Sequence, residues 1–166
     1  EGNRVINVPG GGYVVAGGTD AAGFGSRDLA VWRMDASGNV MWCTKLGTIE
    51  WEWVRDITPI SSGGFYVAIE SVDPSTWQNT ATVVTKLDAN GSILWTQQYS
   101  TLTYAETREI EATANGGFVF MTMEDSGSYN GCIRLISCNS SGGILWSKMF
   151  LTSAWYYASA LVQCGN

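Results

Sequence analysis

Asp28-Leu-Ala-Val-Trp-Arg-Met-Asp35-Ala-Ser-Gly38-Asn-Val-Met-Trp42 is the stretch on which the reading of this chain turns. Two β-rich runs flank an Asp-x-x-Gly step. There the Asp side chain bonds the backbone ahead of it, and Gly supplies the left-handed residue of a short hairpin loop. The stretch predicts strand, tight turn, strand. The chain writes it twice more, from Ala81 through Asp88 and Gly91 to Trp95, and from Cys132 through Asn139 and Gly142 to Trp146. The Trp-to-Trp spacings are 53 and 51 residues.

Self-similarity at a period near 50 residues signals a propeller or a solenoid. Working outward from each copy, a Gly-Gly-aromatic step recurs as Gly11-Gly12-Tyr13, Gly63-Gly64-Phe65 and Gly116-Gly117-Phe118. A short strand candidate precedes each step: Arg4 to Val8, Arg55 to Ile60, Arg108 to Thr113. A β-rich run follows each. Every repeat therefore reads as four strands, A to D, joined by hairpins, with a B–C loop of variable length. The last two strands carry apolar residues on both faces, as in Ser92-Ile-Leu-Trp95, and such strands need cover on both sides. No stretch sustains a helical period. The expected class is all-β: three four-stranded antiparallel propeller-type blades in a single repeat domain spanning 1–166. The blades are expected at about 4–46, 55–99 and 108–150.

The pattern Gly-Gly-[Tyr/Phe], then Val-x-[Lys/Arg]-x-Asp-x-x-Gly-x-x-x-Trp, resembles the β-propeller repeat found in many secreted microbial surface proteins. Gly11 to Trp42, Gly63 to Trp95 and Gly116 to Trp146 carry the resemblance, which covers nearly the whole chain. It implies blades of four antiparallel strands. It implies no activity, since that repeat serves mainly as a scaffold or for adhesion. The third copy departs from it, with Ser137 and Asn139 in place of the basic residue and the aspartate.

Strand counting adds an expectation. Ala160 lies 14 residues after Trp146, as Asp56 does after Trp42 and Glu109 after Trp95. Residues 158–164 therefore read as one extra C-terminal strand, a fourth strand A. Closed propellers have typically 4–8 blades. Three blades and a spare strand with an apolar edge, Ala160-Leu161-Val162, point to assembly between copies, as a filament or a closed oligomer, or to a piece of a longer propeller.

Composition bounds the function. The 166 residues carry a net charge of −6, which gives no electrostatic case for binding nucleic acid or an anionic membrane. No apolar run approaches the ~18 residues of a membrane span. The opening Glu1-Gly-Asn-Arg is not a signal peptide, so an exported chain would already be processed. There is no histidine, and the cysteines form no C-x-x-C pair, so no metal site or cofactor is expected. Cys132 and Cys138 share one predicted strand. Six residues place them about 20 Å apart, too far to bridge each other. Disulfides among Cys43, Cys132, Cys138 and Cys164 would need another strand or another chain.

Three sets of side chains are candidate sites. Trp51, Tyr104 and Trp155 recur nine residues after the repeat Trp, in the D-to-A crossovers. Phe24, Trp77 and Tyr129 lie in the B–C loops, which should emerge at the same end. An aromatic face of this kind suits inter-blade packing, a subunit contact or stacking of sugar rings. Asn90-Gly-Ser and Asn139-Ser-Ser are candidate N-glycosylation acceptors in surface turns. Carboxylates gather at Glu50, Glu52 and Asp56 and again at Glu106, Glu109 and Glu111. A carboxylate pair can hydrolyse glycosides, but nothing comparable lies near Arg4 or Ala160, and no enzyme is expected. The function expected is that of an extracellular structural or adhesive protein that assembles with copies of itself through its ends. The alternative is a lectin-like module that binds glycans.

Overall fold

The computed structural model describes residues 2–19, 28–48, 50–73, 75, 80–99, 105–125, 131–151 and 160–162. Twelve strands run through them: β1 (Gly2–Asn7), β2 (Tyr13–Thr19), β3 (Asp28–Met34), β4 (Val40–Leu46), β5 (Trp51–Pro59), β6 (Phe65–Val72), β7 (Thr80–Leu87), β8 (Ile93–Tyr99), β9 (Ala105–Ala112), β10 (Phe118–Asp125), β11 (Gly131–Cys138) and β12 (Ile144–Leu151). They form three four-stranded antiparallel sheets in chain order: β1–β4, β5–β8 and β9–β12. The described residues hold no helix, and none is long and apolar enough to cross a membrane.

The turns explain why the repeat folds this way. In each outer hairpin the first turn residue accepts two backbone N–H groups on one side-chain oxygen. Asp35 takes Ser37 and Asn39, Asp88 takes Asn90 and Ser92, and Asn139 takes Ser141 and Gly143, all at 2.8–2.9 Å. Asn139 thus does the work of the two aspartates, because the turn uses an acceptor oxygen and no charge. The Gly-Gly turn repeats as closely: Gly11, Gly63 and Gly116 each donate to the carbonyl three residues back. Gly64 sits at φ +90°, where a β-carbon would lie 2.2 Å from the Leu87 carbonyl oxygen.

A third repeated device lies in the inner strands. The ladder skips Asn3, Arg55 and Arg108, one residue in each of β1, β5 and β9. Such bulges re-aim a side chain. Arg55 turns onto Glu70, and Arg108 onto Glu106 at 2.6 Å.

The sheets stack face to face. One core lies between sheets 1 and 2, with Val14, Leu29, Val31, Ile57, Phe65 and Val67 at its centre. A second lies between sheets 2 and 3, built on Tyr66, Val84, Tyr99, Phe118 and Phe120. Sheet 2 is covered on both faces, and every residue of β6 is buried. The inner strands β1, β5 and β9 pack against one another in turn.

The expected extra strand is not matched. Ala160, Leu161 and Val162 carry no strand assignment. The Leu161 N–H goes to a carboxylate oxygen of Glu109 rather than to a neighbouring strand. No second strand of a fourth sheet lies beside it among the described residues.

Candidate functional site

The geometry between sheets follows one rule twice. Trp42, on β4, packs against Phe65 of sheet 2 with ring centroids 6.1 Å apart. Trp95, on β8, packs against Phe118 of sheet 3 at 6.0 Å. Polar groups accompany the rings. Trp42 Nε1 donates to the Ala89 carbonyl and Thr44 Oγ1 to the Gly91 carbonyl, both in the outer turn of sheet 2. One sheet on, Lys86 Nζ donates to Ser140 and the Tyr99 hydroxyl to Gly142, in the outer turn of sheet 3. Ala89 and Ser140 are equivalent positions, as are Gly91 and Gly142. Burial raises the Tyr99 hydroxyl above the ordinary tyrosine range and keeps it a neutral donor.

At the inner edge the donors point the other way. The Ile110 N–H reaches Asp56 Oδ2 at 3.0 Å, and the Leu161 N–H reaches Glu109. Asp56 and Glu109 are equivalent, and so are Ile110 and Leu161. Arg4, the equivalent residue of sheet 1, lies 2.7 Å from Asp56 and 3.5 Å from Glu109. Thr58 adds a bond to Glu111 at 3.0 Å. Of the carboxylates that suggested glycoside chemistry, Asp56, Glu109 and Glu111 thus tie sheet to sheet. Burial lifts the Asp56 carboxyl, against the donors Ile110, Ile57 and Arg4.

Equivalent positions diverge at the two ends of the stack. On the back of sheet 3, Phe150 is 49% exposed, while its counterparts Leu46 and Tyr99 are 5% and 4% exposed. Trp146 is 41% exposed, while Trp42 and Trp95 are half-buried under the next sheet. On the front of sheet 1, Val5 is 62% exposed against 2% for both Ile57 and Ile110. Tyr13 is 42% exposed against 3% for Phe65 and 0% for Phe118. A β-carbon on Gly91 or Gly142 would strike side chains of the preceding sheet, and one on Gly38 meets nothing within 4 Å. The candidate site is therefore a pair of uncovered apolar faces. Sequence reasoning missed them, because Tyr13 and Phe150 look like their buried equivalents; only the count of repeats hinted at an end.

The other predicted sites fare variously. Trp51 is the first residue of β5 rather than part of a crossover; it is half-buried and edge-on to Trp53 at 6.3 Å. Phe24, Trp77, Tyr104, Tyr129, Trp155 and Cys164 lie outside the described residues. Cys132 and Cys138 are buried, and Cys43 is exposed. Asn90 and Asn139 are both exposed in outer turns. A cleft of about 270 Å³ between sheets 1 and 2 is lined by Leu46, Thr48, Glu52, Ile69 and Thr96, among others. Glu52 is buried there and accepts from the Thr48 N–H and hydroxyl, and burial raises its carboxyl. Among the described residues, no group of three or more acidic, cysteine or histidine side chains is placed to hold a metal ion.

No family model matches the chain, and no curated protein matches it.

Proposed function

We propose that this chain is a structural or adhesive protein of the propeller-repeat type, working outside the cell, and that its function is carried by association of copies through the ends of the sheet stack. The observation that supports this reading is the contrast at equivalent positions. Residues that are covered at both internal interfaces lie open at the front of sheet 1 and the back of sheet 3. Contiguous exposed apolar surface of this kind marks an interaction site in a soluble protein. The ion pairs and hydrogen bonds of Asp56, Glu70, Glu106 and Glu111 favour a scaffold over a catalyst, because each of these carboxylates serves contacts within or between sheets.

Light scattering over a concentration series, with negative-stain microscopy, tests the proposal. Mass that grows with concentration is the expected outcome. A monomer at every concentration up to hundreds of micromolar would remove it.

A further inference from the structure

We infer that the occupant of the back of sheet 3 is the front of sheet 1 of a second copy, in the register already used twice within the molecule. This rests on the assembly reading above and specifies its surface. Sheet 1 meets sheet 2, and sheet 2 meets sheet 3, through a back-side Trp on a front-side aromatic. Continuing that interface sets Trp146 against Tyr13 of the second copy and Phe150 over its outer turn at Gly38. The turn is open to receive it, since the space above Gly38 is empty where the spaces above Gly91 and Gly142 are filled. Charge agrees with the register. Lys148 stands at the position of Thr44, which donates to the turn of the next sheet, and the turn of sheet 1 carries Asp35.

The contact is heterologous, because the two faces differ: one offers side-chain donors, the other turn carbonyls. A back-to-back pair would set Trp146 and Lys148 against their own copies, with no turn carbonyl to receive them. One feature must yield. Residues 160–162 hold the inner slot that the second copy's β1 needs, with Leu161 on Glu109 as Ile110 is on Asp56. That segment has no strand ladder, whereas β1 pairs with β2 from Arg4 to Asn7 and holds Asp56 through Arg4. The segment at 160–162 is the weaker of the two and gives way.

Complementary blocking tests the register. Tyr13→Glu closes the front and Phe150→Glu closes the back; both positions are exposed, and Val5→Glu and Trp146→Glu replace either variant if it misfolds. Each variant alone is expected to be monomeric by light scattering, with a wild-type circular dichroism spectrum. Mixed one to one, they are expected to give a dimer and nothing larger. Variants that associate as the wild type does would overturn the register and leave the assembly reading standing. A monomeric wild type would remove both. Deleting residues 160–166 is expected to tighten association at least several-fold; weaker association would overturn the assignment of that slot.

Discussion

Glu52 shows how one buried side chain ties stability to pH. Its carboxyl is raised mainly by burial, with Asp28 and Glu50 adding to the effect and the Thr48 donors opposing it. Glu70 is raised for the same first cause, against its Arg55 partner. A raised carboxyl binds its proton more tightly folded than unfolded. The stability this confers is complete below the ordinary carboxylate range and is lost as pH rises through the raised value. Glu52→Gln keeps the acceptor for Thr48 and removes the charge. It should melt higher than the wild type at pH 7, with the gap closing towards about pH 4, near the ordinary Glu value. An equal offset at both pH values would contradict this account. The cysteines give a second check at this scale. Cys43 is open, whereas Cys132 and Cys138 are enclosed and burial pushes the Cys138 thiol up. Iodoacetamide under native conditions should label Cys43 and spare the other two until the chain unfolds, as peptide mass would report. The enclosure of Cys132 was not legible in the sequence, where a cysteine at the start of a strand reads equally as buried or as bridged.

The hairpin is the element whose sequence and structure agree most closely. Asp-x-x-Gly and Gly-Gly mark the turns because only a side-chain acceptor and a residue tolerant of positive φ satisfy that backbone. The bulges at Asn3, Arg55 and Arg108 were not legible, since nothing in a strand's composition announces a skipped rung; they emerge only from pairing. The same holds for the end of the chain. Counting positions aligned Ala160 with Asp56 and Glu109, yet a strand needs a neighbour, and the count could not supply one. The turns also allow a comparison. Gly38 and Gly91 share φ +83°, but a β-carbon on Gly91 falls 2.7 Å from the Trp42 ring and Thr44 Oγ1. Gly38→Ala should cost about 1 kcal/mol, the left-handed backbone term alone. Gly91→Ala should cost roughly 1–3 kcal/mol more, because sheet 1 must shift to admit the methyl group. Urea unfolding of the monomer would measure both, and equal losses would refute the close approach.

Across the molecule, cover decides protection. Phe118 is wholly buried and touches Tyr66, Trp95, Tyr99 and Phe120. Phe118→Ala should remove about 3–5 kcal/mol, read by denaturant unfolding. Hydrogen exchange should find β6 slowest, since both its faces are covered, and β12 faster than its equivalent β8. Equal rates in β8 and β12 in a dilute monomer would contradict the exposure of the third sheet. The architecture at this scale was legible from the repeat of Trp42, Trp95 and Trp146. The state of the end faces was not, because identical roles within a repeat do not reveal which copy lacks a neighbour.

The hydrogen bonds between sheets are laid out asymmetrically: side-chain donors at the back of one sheet reach turn carbonyls of the next, and the inner-strand Ile110 amide reaches back to the Asp56 carboxylate of the sheet before. A stack built this way has a sense, like a thread. Each unit presents to its successor what its predecessor presented to it. A tandem duplication of one unit of about 52 residues in the gene would therefore insert a sheet that already fits both neighbours, lengthening the array without any change at the joints. An inverted unit would fit neither.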